Sequence, residues 1–306
     1  MNTTPTNVSS TSQRLPISDN YKLVAFGIQL VILAFGAVFN LLLMNAFIKD
    51  PLKTFKSPSS SFIFNIAFVD VLVCILWIIK ISFRHTTPGC KETRKSLFRV
   101  WIASIAISPL LYLGLSIERF CSVAYPLWHR VHVTTRVCRY WLCAIWFVHI
   151  VFETLLSYFV QEVVSYKNII ILLLFVGISF LLTQAFYLAT YFSLKKQREM
   201  YFKRQNISEA AFGTIKIRLQ RERQFLHTIA IVCFILNLTL LPTLTFMIVY
   251  VIYPKFSTLQ RGQPRIIFHH LLLIFLSFNF AINPIFYGWR LPKYRKTFKL
   301  MYCKFL

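Results

Sequence analysis

The sequence predicts an all-α membrane protein, a seven-transmembrane helix bundle followed by a short amphipathic C-terminal helix. The 306-residue chain is 57% hydrophobic and only 14% charged, whereas a soluble domain of this length needs a polar coat. Its apolar residues form long runs, and about 20 apolar residues let a helix cross a bilayer. The seven runs that we expect to be spans are 24–48, 60–83, 100–123, 137–158, 168–194, 225–253 and 266–287.

The N-terminal tail and the first span set the expected orientation. Residues 1–20 are polar and contain no apolar core of the signal-peptide type, so the first span is expected to act as its own signal anchor. Basic residues are concentrated at 195–223, which favours the cytosol for that loop. We therefore expect a multi-pass plasma-membrane protein with residues 1–23 outside, the bundle at 24–288 and residues 289–306 inside.

Surface chemistry excludes some classes of function. The net charge of +24 is not held in a basic soluble domain, so we expect no nucleic-acid partner, and the inner basic loops favour anionic lipid or an acidic protein. The sequence shows no nucleophile–base set, phosphate loop or metal-ligand spacing, so we expect no enzyme activity. Asn2 and Asn7 begin sequons in the outer tail and are candidate glycosylation sites.

A polar cluster is predicted inside the bundle, because ionisable groups in a span cost roughly 3 kcal/mol each and usually have a function. Asp70 stands midway along the second span, Ser108 midway along the third, and Asn279 and Asn283 in the inner half of the seventh. Close packing would bring them to one site whose oxygens suit a small hard cation. The alternative is a water-filled cluster that only satisfies Asp70.

Charged residues mark the inner ends of the third and sixth spans. Glu118 and Arg119 adjoin at the end of the third, and Glu222 precedes the sixth on the same side. Arg119 is expected to pair with Glu118 or Glu222, and breaking the second pair would let the sixth helix swing about a kink at Pro242. The alternative is a set of ordinary boundary charges.

The fourth span contains an acid, Glu153, four residues after His149. This spacing puts both side chains on one helical face. We expect Glu153 to pair with His149 or with a basic residue of the third helix, in preference to contacting a ligand.

The seventh span ends in the segment FNFAINPIFYGW, residues 278–289. Pro284 frees backbone groups that neighbouring helices and water can satisfy, so the helix is expected to bend there and Tyr287 to rotate inward when the bundle opens. Lys and Arg residues then alternate with apolar residues at helical spacing, which predicts a short helix on the inner leaflet. Cys303 at its end is either a palmitoylation site or a free thiol.

The order of these motifs resembles that of the rhodopsin-like, class A G-protein-coupled receptors over about residues 24–303. The motifs are an acid in the second span, then Glu118, Arg119 and Phe120, then Asn283, Pro284 and Tyr287. The resemblance implies a receptor that passes the binding of an extracellular ligand to a heterotrimeric G protein, with arrestin as a further candidate partner and no cofactor beyond an allosteric sodium ion at Asp70.

The resemblance also implies roles for single residues. Arg119 would reach toward the G protein when the bundle opens, and Glu222 would hold it at rest. Pro126 and Leu127 match a second-loop pair that touches the G protein, and Tyr187 matches a tyrosine near the inner end of the fifth span.

The sequence departs from the family at the outer side and in the sixth span. Arg94 stands where the third span usually has a disulfide cysteine, and Ser179 replaces a proline of the fifth span. These two departures are shared with the melanocortin, lysophospholipid and cannabinoid receptors. Leu240 replaces the usual tryptophan of the sixth span, which leaves open a receptor-like scaffold that does not signal.

The ligand is less defined by the sequence. Trp101 occupies the position where amine receptors carry an aspartate, so an ammonium ligand would lose its counter-ion. Basic residues at the outer ends of the second and third spans, Arg94 and Arg99 among them, would attract an anionic ligand, or would be a solvated loop face. The candidate ligand contacts are Trp101, Glu153, Arg94 and Arg99.

A transporter or channel that uses Asp70 as an ion site is the rival interpretation. It predicts broken helices in paired halves of the chain, and only Pro284 fits that pattern.

Overall fold

A computed structural model describes residues 19–86, 91–159, 166–203 and 263–302, with separate residues between 213 and 249. These parts are almost entirely α-helical and contain no β-strand. The helices are α1 Asp19–Lys49, α2 Pro58–Thr86, α3 Lys91–Ala124, α4 Pro126–His132, α5 Thr135–Phe159, α6 Tyr166–Lys203, α7 Gln263–Arg290 and α8 Pro292–Tyr302.

Six of these helices are long and apolar enough to cross a membrane, namely α1, α2, α3, α5, α6 and α7. They correspond to predicted spans one to five and seven. Most of the sixth predicted span, 225–253, lies outside the described residues, and those of its residues that are described are helical. The prediction of an all-α membrane protein with a short C-terminal helix is confirmed.

The helix α3 lies at the centre of the described bundle. It packs against α2 and α6, while α1 packs against α2 and α7. Gly114 lets α3 approach α2 and α5 closely, because a Cβ at this position would be 2.6 Å from a ring carbon of Phe62 and 3.1 Å from Cδ1 of Ile145. Small residues at such crossings are how membrane helices gain close packing.

The bend-prone part of α7 is tied to α1 through a buried amide. Pro284 has no N–H, so the carbonyl of Phe280, four residues earlier, lacks its helical donor. Nδ2 of Asn40 donates to that carbonyl at 2.8 Å, and also to the carbonyl of Gly36 at 2.9 Å. A neighbouring helix therefore satisfies the backbone group that the proline frees, as the sequence led us to expect.

The short helix α8 packs under the inner end of the bundle. It begins with Pro292, whose missing N–H costs nothing in the first turn. Tyr294 is fully buried, and its ring centroid lies 4.9 Å from that of Phe55 and 5.8 Å from that of Phe47. The hydroxyl of Tyr302 donates to the carbonyl of Leu42 at 2.9 Å. The inner ends of α1 and α8 are thus fixed to each other.

Candidate functional site

The bundle contains a buried polar contact between α2, α3 and α7. Asp70 and Asn283 are each only 2% exposed. Nδ2 of Asn283 donates to Oδ2 of Asp70 at 3.0 Å and to the hydroxyl of Tyr112 at 2.9 Å. The structure therefore joins two of the four residues predicted for the inner polar cluster. The third partner, Tyr112, was missed, although it lies one turn inward of Ser108 on the same face of α3.

The other two predicted members are buried, but no hydrogen bond among the described residues links them to Asp70. Ser108 and Asn279 are each 6% exposed. Within the described part of the chain, Oγ of Ser108 and Oδ1 of Asn283 are buried without a hydrogen-bond partner. Buried oxygens are normally satisfied, and these two atoms, like the Asp70 carboxylate, are oxygens of the kind that a small hard cation binds.

An ion-pair cluster closes the inner end of α3. Glu118 is completely buried and receives two hydrogen bonds from Arg119, from Nε at 2.6 Å and from an Nη at 2.7 Å. This two-point geometry is the strong form of the arginine–carboxylate contact. The hydroxyl of Ser59 donates to Oε2 of Glu118 at 2.9 Å, and Nε2 of His129 lies 3.0 Å from its Oε1.

The same cluster reaches toward the sixth span. Nη1 of Arg119 lies 3.6 Å from Oε2 of Glu222, a distance that gives an ion pair but no hydrogen bond. The sequence left the partner of Arg119 open between Glu118 and Glu222, and the structure shows both. Ser59 and His129 were missed, because one belongs to α2 and the other to α4, and nothing in their local sequence points to Glu118.

Lys293 of α8 lies beside this cluster. Its Nζ donates to the hydroxyls of Ser60 at 3.2 Å and Ser57 at 3.4 Å, and it lies 5.2 Å from the ring centroid of Tyr294. Burial, and next the positive charge of Arg119, lower the pKa of Lys293 to about 8. Lys293 therefore loses its proton more readily than an ordinary surface lysine does.

Most of the remaining residues predicted for coupling and activation lie at the same end of the bundle. Phe120 packs edge-on against Phe186, with ring centroids 5.8 Å apart. Tyr187 packs against a small buried cluster of Val123, Leu194 and Leu226, which joins α3, α6 and the sixth-span segment. The others are Tyr287, which is buried and packs near Tyr294, Pro126 at the start of α4, Leu127, which is 82% exposed, and Pro242, which is exposed and helical.

An aromatic cluster occupies the outer ends of α2 and α3. Trp101 is buried against Trp77, with ring centroids 4.2 Å apart. The ammonium of Lys80 lies 3.9 Å from the ring centroid of Trp77 and 4.0 Å from that of Phe98. Cation–π contact of this kind stabilises a lysine by roughly 0.5–2 kcal/mol. Lys80 is therefore part of the packing.

The structure also places the two basic residues that were predicted as ligand contacts. Arg94 and Arg99 lie on the first turns of α3, and both are half-buried.

Of the two pairings expected for Glu153, the one with His149 is absent from the described residues. The ring of His149 instead faces the backbone of Ala103 on α3. Within the described residues, Nδ1 of His149 and Oε1 of Glu153 are buried with no hydrogen-bond partner. The two side chains share a helical face as predicted, but the imidazole of His149 faces the backbone of the neighbouring helix α3.

Four residues discussed above lie outside the described residues. They are Asn2, Asn7, Leu240 and Cys303.

A helical membrane bundle with a buried Asp–Asn contact and a Glu–Arg cluster at its inner end has the architecture of a seven-transmembrane receptor. The chain matches the family "7 transmembrane receptor (rhodopsin family)" over residues 39–287. It therefore belongs to this family, and it is a G-protein-coupled receptor that transmits the binding of an extracellular ligand to a heterotrimeric G protein. The transporter and scaffold alternatives are not favoured, and the family is one of receptors.

One curated relative is similar along almost the whole chain. It is trace amine-associated receptor 7h of Rattus norvegicus, which is 25% identical over 323 residues, an alignment that covers 96% of this chain and 86% of the relative.

Proposed function

We propose that this receptor works in the plasma membrane with residues 1–23 outside, the bundle at 24–288 and residues 289–306 in the cytosol. The basic stretch at 195–223 supports this orientation through the positive-inside rule. In this orientation α8 lies along the inner leaflet, where its exposed Arg295, Lys296 and Lys299 meet anionic lipid. Cys303 would be a palmitoylation site there, and Asn2 and Asn7 would carry glycans outside.

Activation is proposed to consist of the release of Arg119 from Glu222. The observation that carries this proposal is the 3.6 Å ion pair between α3 and the segment preceding the sixth span. Arg119 keeps its two hydrogen bonds to Glu118 when Glu222 leaves, so the arginine is not left as an unpaired buried charge. Ligand binding then shifts the population from the closed to the open bundle.

The moving parts of this transition are proposed from their positions. Pro242 would provide the hinge of the sixth helix, and Pro284 that of the seventh. Tyr187 and Tyr287 would turn into the space that opens. Phe120 would keep α3 packed against α6 meanwhile, through its contact with Phe186.

The surface that receives the G protein is proposed to include Arg119, Pro126 and Leu127. Leu127 is 82% exposed on a short helix at the inner end of α3. An exposed leucine beside a charged cluster suits insertion into an apolar pocket of a partner. Arrestin is proposed to use the same surface.

Asp70, Ser108, Asn279 and Asn283 are proposed to hold a sodium ion in the closed state. The orphaned oxygens of Ser108 and Asn283 support this proposal, because a bound cation would satisfy both. The ion would favour the closed bundle by bridging α2, α3 and α7. Tyr112 would orient the amide of Asn283 through the hydrogen bond between them.

The extracellular ligand is proposed to be anionic. A trace amine receptor is among the relatives of this chain, yet Trp101 stands where an amine would need a counter-ion, and the ammonium of Lys80 lies against the neighbouring aromatic rings. Arg94 and Arg99 add positive charge at the same end of α3. The positive electrostatic potential of these three residues, and their ability to pair with an anion, both favour an acidic ligand.

The proposed role of Arg119 can be tested before a ligand is known. Purified receptor in lipid nanodiscs is titrated with a panel of nucleotide-free heterotrimeric G proteins. Arg119→Ala should weaken the binding of each heterotrimer that the wild type binds by about tenfold or more, because a charge-assisted hydrogen bond is lost. Arg139→Ala, which removes an exposed arginine at the inner end of α5, is the matched control.

Two results would count against this mechanism. Unchanged affinity of the Arg119 variant for all of its partners would refute the assigned role. A wild-type receptor that binds none of the panel would favour the non-signalling scaffold that the Leu240 substitution left open.

A further inference from the structure

A cavity of about 500 Å³ lies on the side of the bundle, between α2, α3 and α5. Its walls are largely apolar, with Val69, Leu72, Ile107 and Trp146 among them, and Leu172 of α6 adds one edge. The volume is in the range of small-molecule sites. Neither the Asp70–Asn283 contact nor the Arg119 cluster contributes to its lining, so it is separate from both.

The cavity opens toward lipid. Two of its lining residues, Val100 on α3 and Ile150 on α5, are apolar and about half exposed. They lie within spanning helices, and the exposed surface of such helices faces the hydrocarbon of the bilayer. A molecule can therefore enter this cavity from the membrane.

Two hydrogen-bond acceptors point into this apolar setting. His149 is 4% exposed, and its ring lies against the backbone of Ala103. A neutral imidazole that donates one N–H there keeps Nδ1 as an acceptor. Oε1 of Glu153 lies one helical turn further out. Both residues line the cavity, and both atoms are buried without a partner among the described residues. An unsatisfied buried polar atom is costly, so the pair indicates a missing donor.

A positive charge stands across from the carboxylate. Arg99 also lines the cavity, one turn outward of Ala103 on α3. Because α3 and α5 run in opposite directions and Ala103 faces His149, one turn outward on each helix brings Arg99 and Glu153 to the same depth. The outer mouth of the cavity thus carries one cationic and one anionic side chain.

The required ligand has three parts. Side chains four residues apart on a helix are about 5–6 Å apart, and a primary ammonium with contacts of about 2.9 Å spans that gap and donates to both acceptors. A phosphate suits a guanidinium. The apolar cavity takes a hydrocarbon chain. We propose that this cavity binds an aminophospholipid of the outer leaflet, with its ammonium on Glu153 and His149 and its phosphate on Arg99.

The test compares lipids that differ only in the head group. Full-length receptor in detergent is exchanged with phosphatidylethanolamine, phosphatidylcholine or phosphatidylglycerol of identical chains, and retained lipid is measured by native mass spectrometry. Phosphatidylethanolamine should bind about tenfold more tightly than phosphatidylcholine, whose quaternary ammonium has no N–H to donate. Equal retention of these two lipids by the wild type would overturn the proposal, and this comparison needs no variant.

Variants then assign the contacts. Glu153→Gln should lower phosphatidylethanolamine affinity about tenfold and remove the preference over phosphatidylcholine, whereas Glu199→Gln, at an exposed site of α6, should change neither. Arg99→Gln should weaken phosphatidylethanolamine and phosphatidylglycerol alike. A Glu153 variant that keeps the head-group preference, or a long-chain primary amine that binds as tightly as phosphatidylethanolamine, would contradict the assignment.

Discussion

Removing the carboxylate of Glu222 should raise the ligand-independent activity of the receptor. Oε2 of Glu222 lies 3.6 Å from Nη1 of Arg119. Two unit charges at this distance attract each other by about 5 kcal/mol at an effective dielectric constant of 20. The net effect is smaller, because the side chains are 11% and 23% exposed and Arg119 keeps Glu118 as its main partner. Between the value of a surface pair and that of a buried pair, about 1–2 kcal/mol is reasonable.

That energy translates into a measurable shift. A change of 1–2 kcal/mol alters the ratio of open to closed bundle by about 5- to 30-fold, so that an open fraction of about 1% would rise to about 5–25%. The assay is nucleotide exchange on a purified heterotrimer, catalysed by Glu222→Gln receptor in vesicles without ligand. Glu199→Gln removes an exposed carboxylate from the same side of the membrane and serves as the control.

The outcome distinguishes a lock from a boundary charge. If Glu222→Gln changes basal exchange by less than twofold at equal receptor density, the ion pair does not restrain the bundle. Arg119 would then be held by Glu118 alone, and the proposed trigger would be wrong.

Three further outcomes are expected. Sodium should raise the melting temperature of the wild type relative to potassium at equal ionic strength, and Asp70→Asn should abolish the difference; a site whose dissociation constant is a tenth of the sodium concentration would add about 1.4 kcal/mol. The pKa of Lys293 is about 8 in the folded protein and 10.5 in the unfolded chain. Between these two pH values the unfolded chain binds more protons, so the free energy of unfolding should rise with pH by at most about 1.4 kcal/mol per pH unit. Lys293→Met should flatten that rise, as followed by thermal unfolding at pH 7.5 and 9.5, and an unaltered slope would contradict the assignment. Gly114→Ala should cost about 1–3 kcal/mol through overpacking against buried Phe62, whereas Gly177→Ala, which meets nothing within 4 Å, should be neutral or stabilising in the same melting assay; equal effects would refute the close-approach argument.

Local patterns predicted some parts of the site and could not predict others. Asp70 and Asn283 were both recognised as polar residues inside apolar spans, and the structure brings them into contact at 3.0 Å. The hydroxyl of Tyr112 was missed, because a tyrosine in a span is indistinguishable from a packing residue until its neighbours are known. Ser59 was missed for the same reason.

The fourth span shows the opposite error. The four-residue spacing of His149 and Glu153 made pairing the simplest expectation, since helix geometry fixes which side chains share a face. The partners of side chains on one helical face depend on the neighbouring helix. In this structure the His149 ring faces the backbone of Ala103 on α3.

The sequence alone determined that the chain crosses the membrane as helices, because runs of about 20 apolar residues satisfy the thickness of the bilayer and the hydrogen bonds of the backbone without help from other segments. It also determined where these helices carry polar groups. Only the tertiary structure decided how those groups are satisfied. The amide of Asn40 donates to the carbonyl that Pro284 leaves unpaired, across 240 residues of chain. Such a contact depends on the relative position of two helices, which no local pattern encodes.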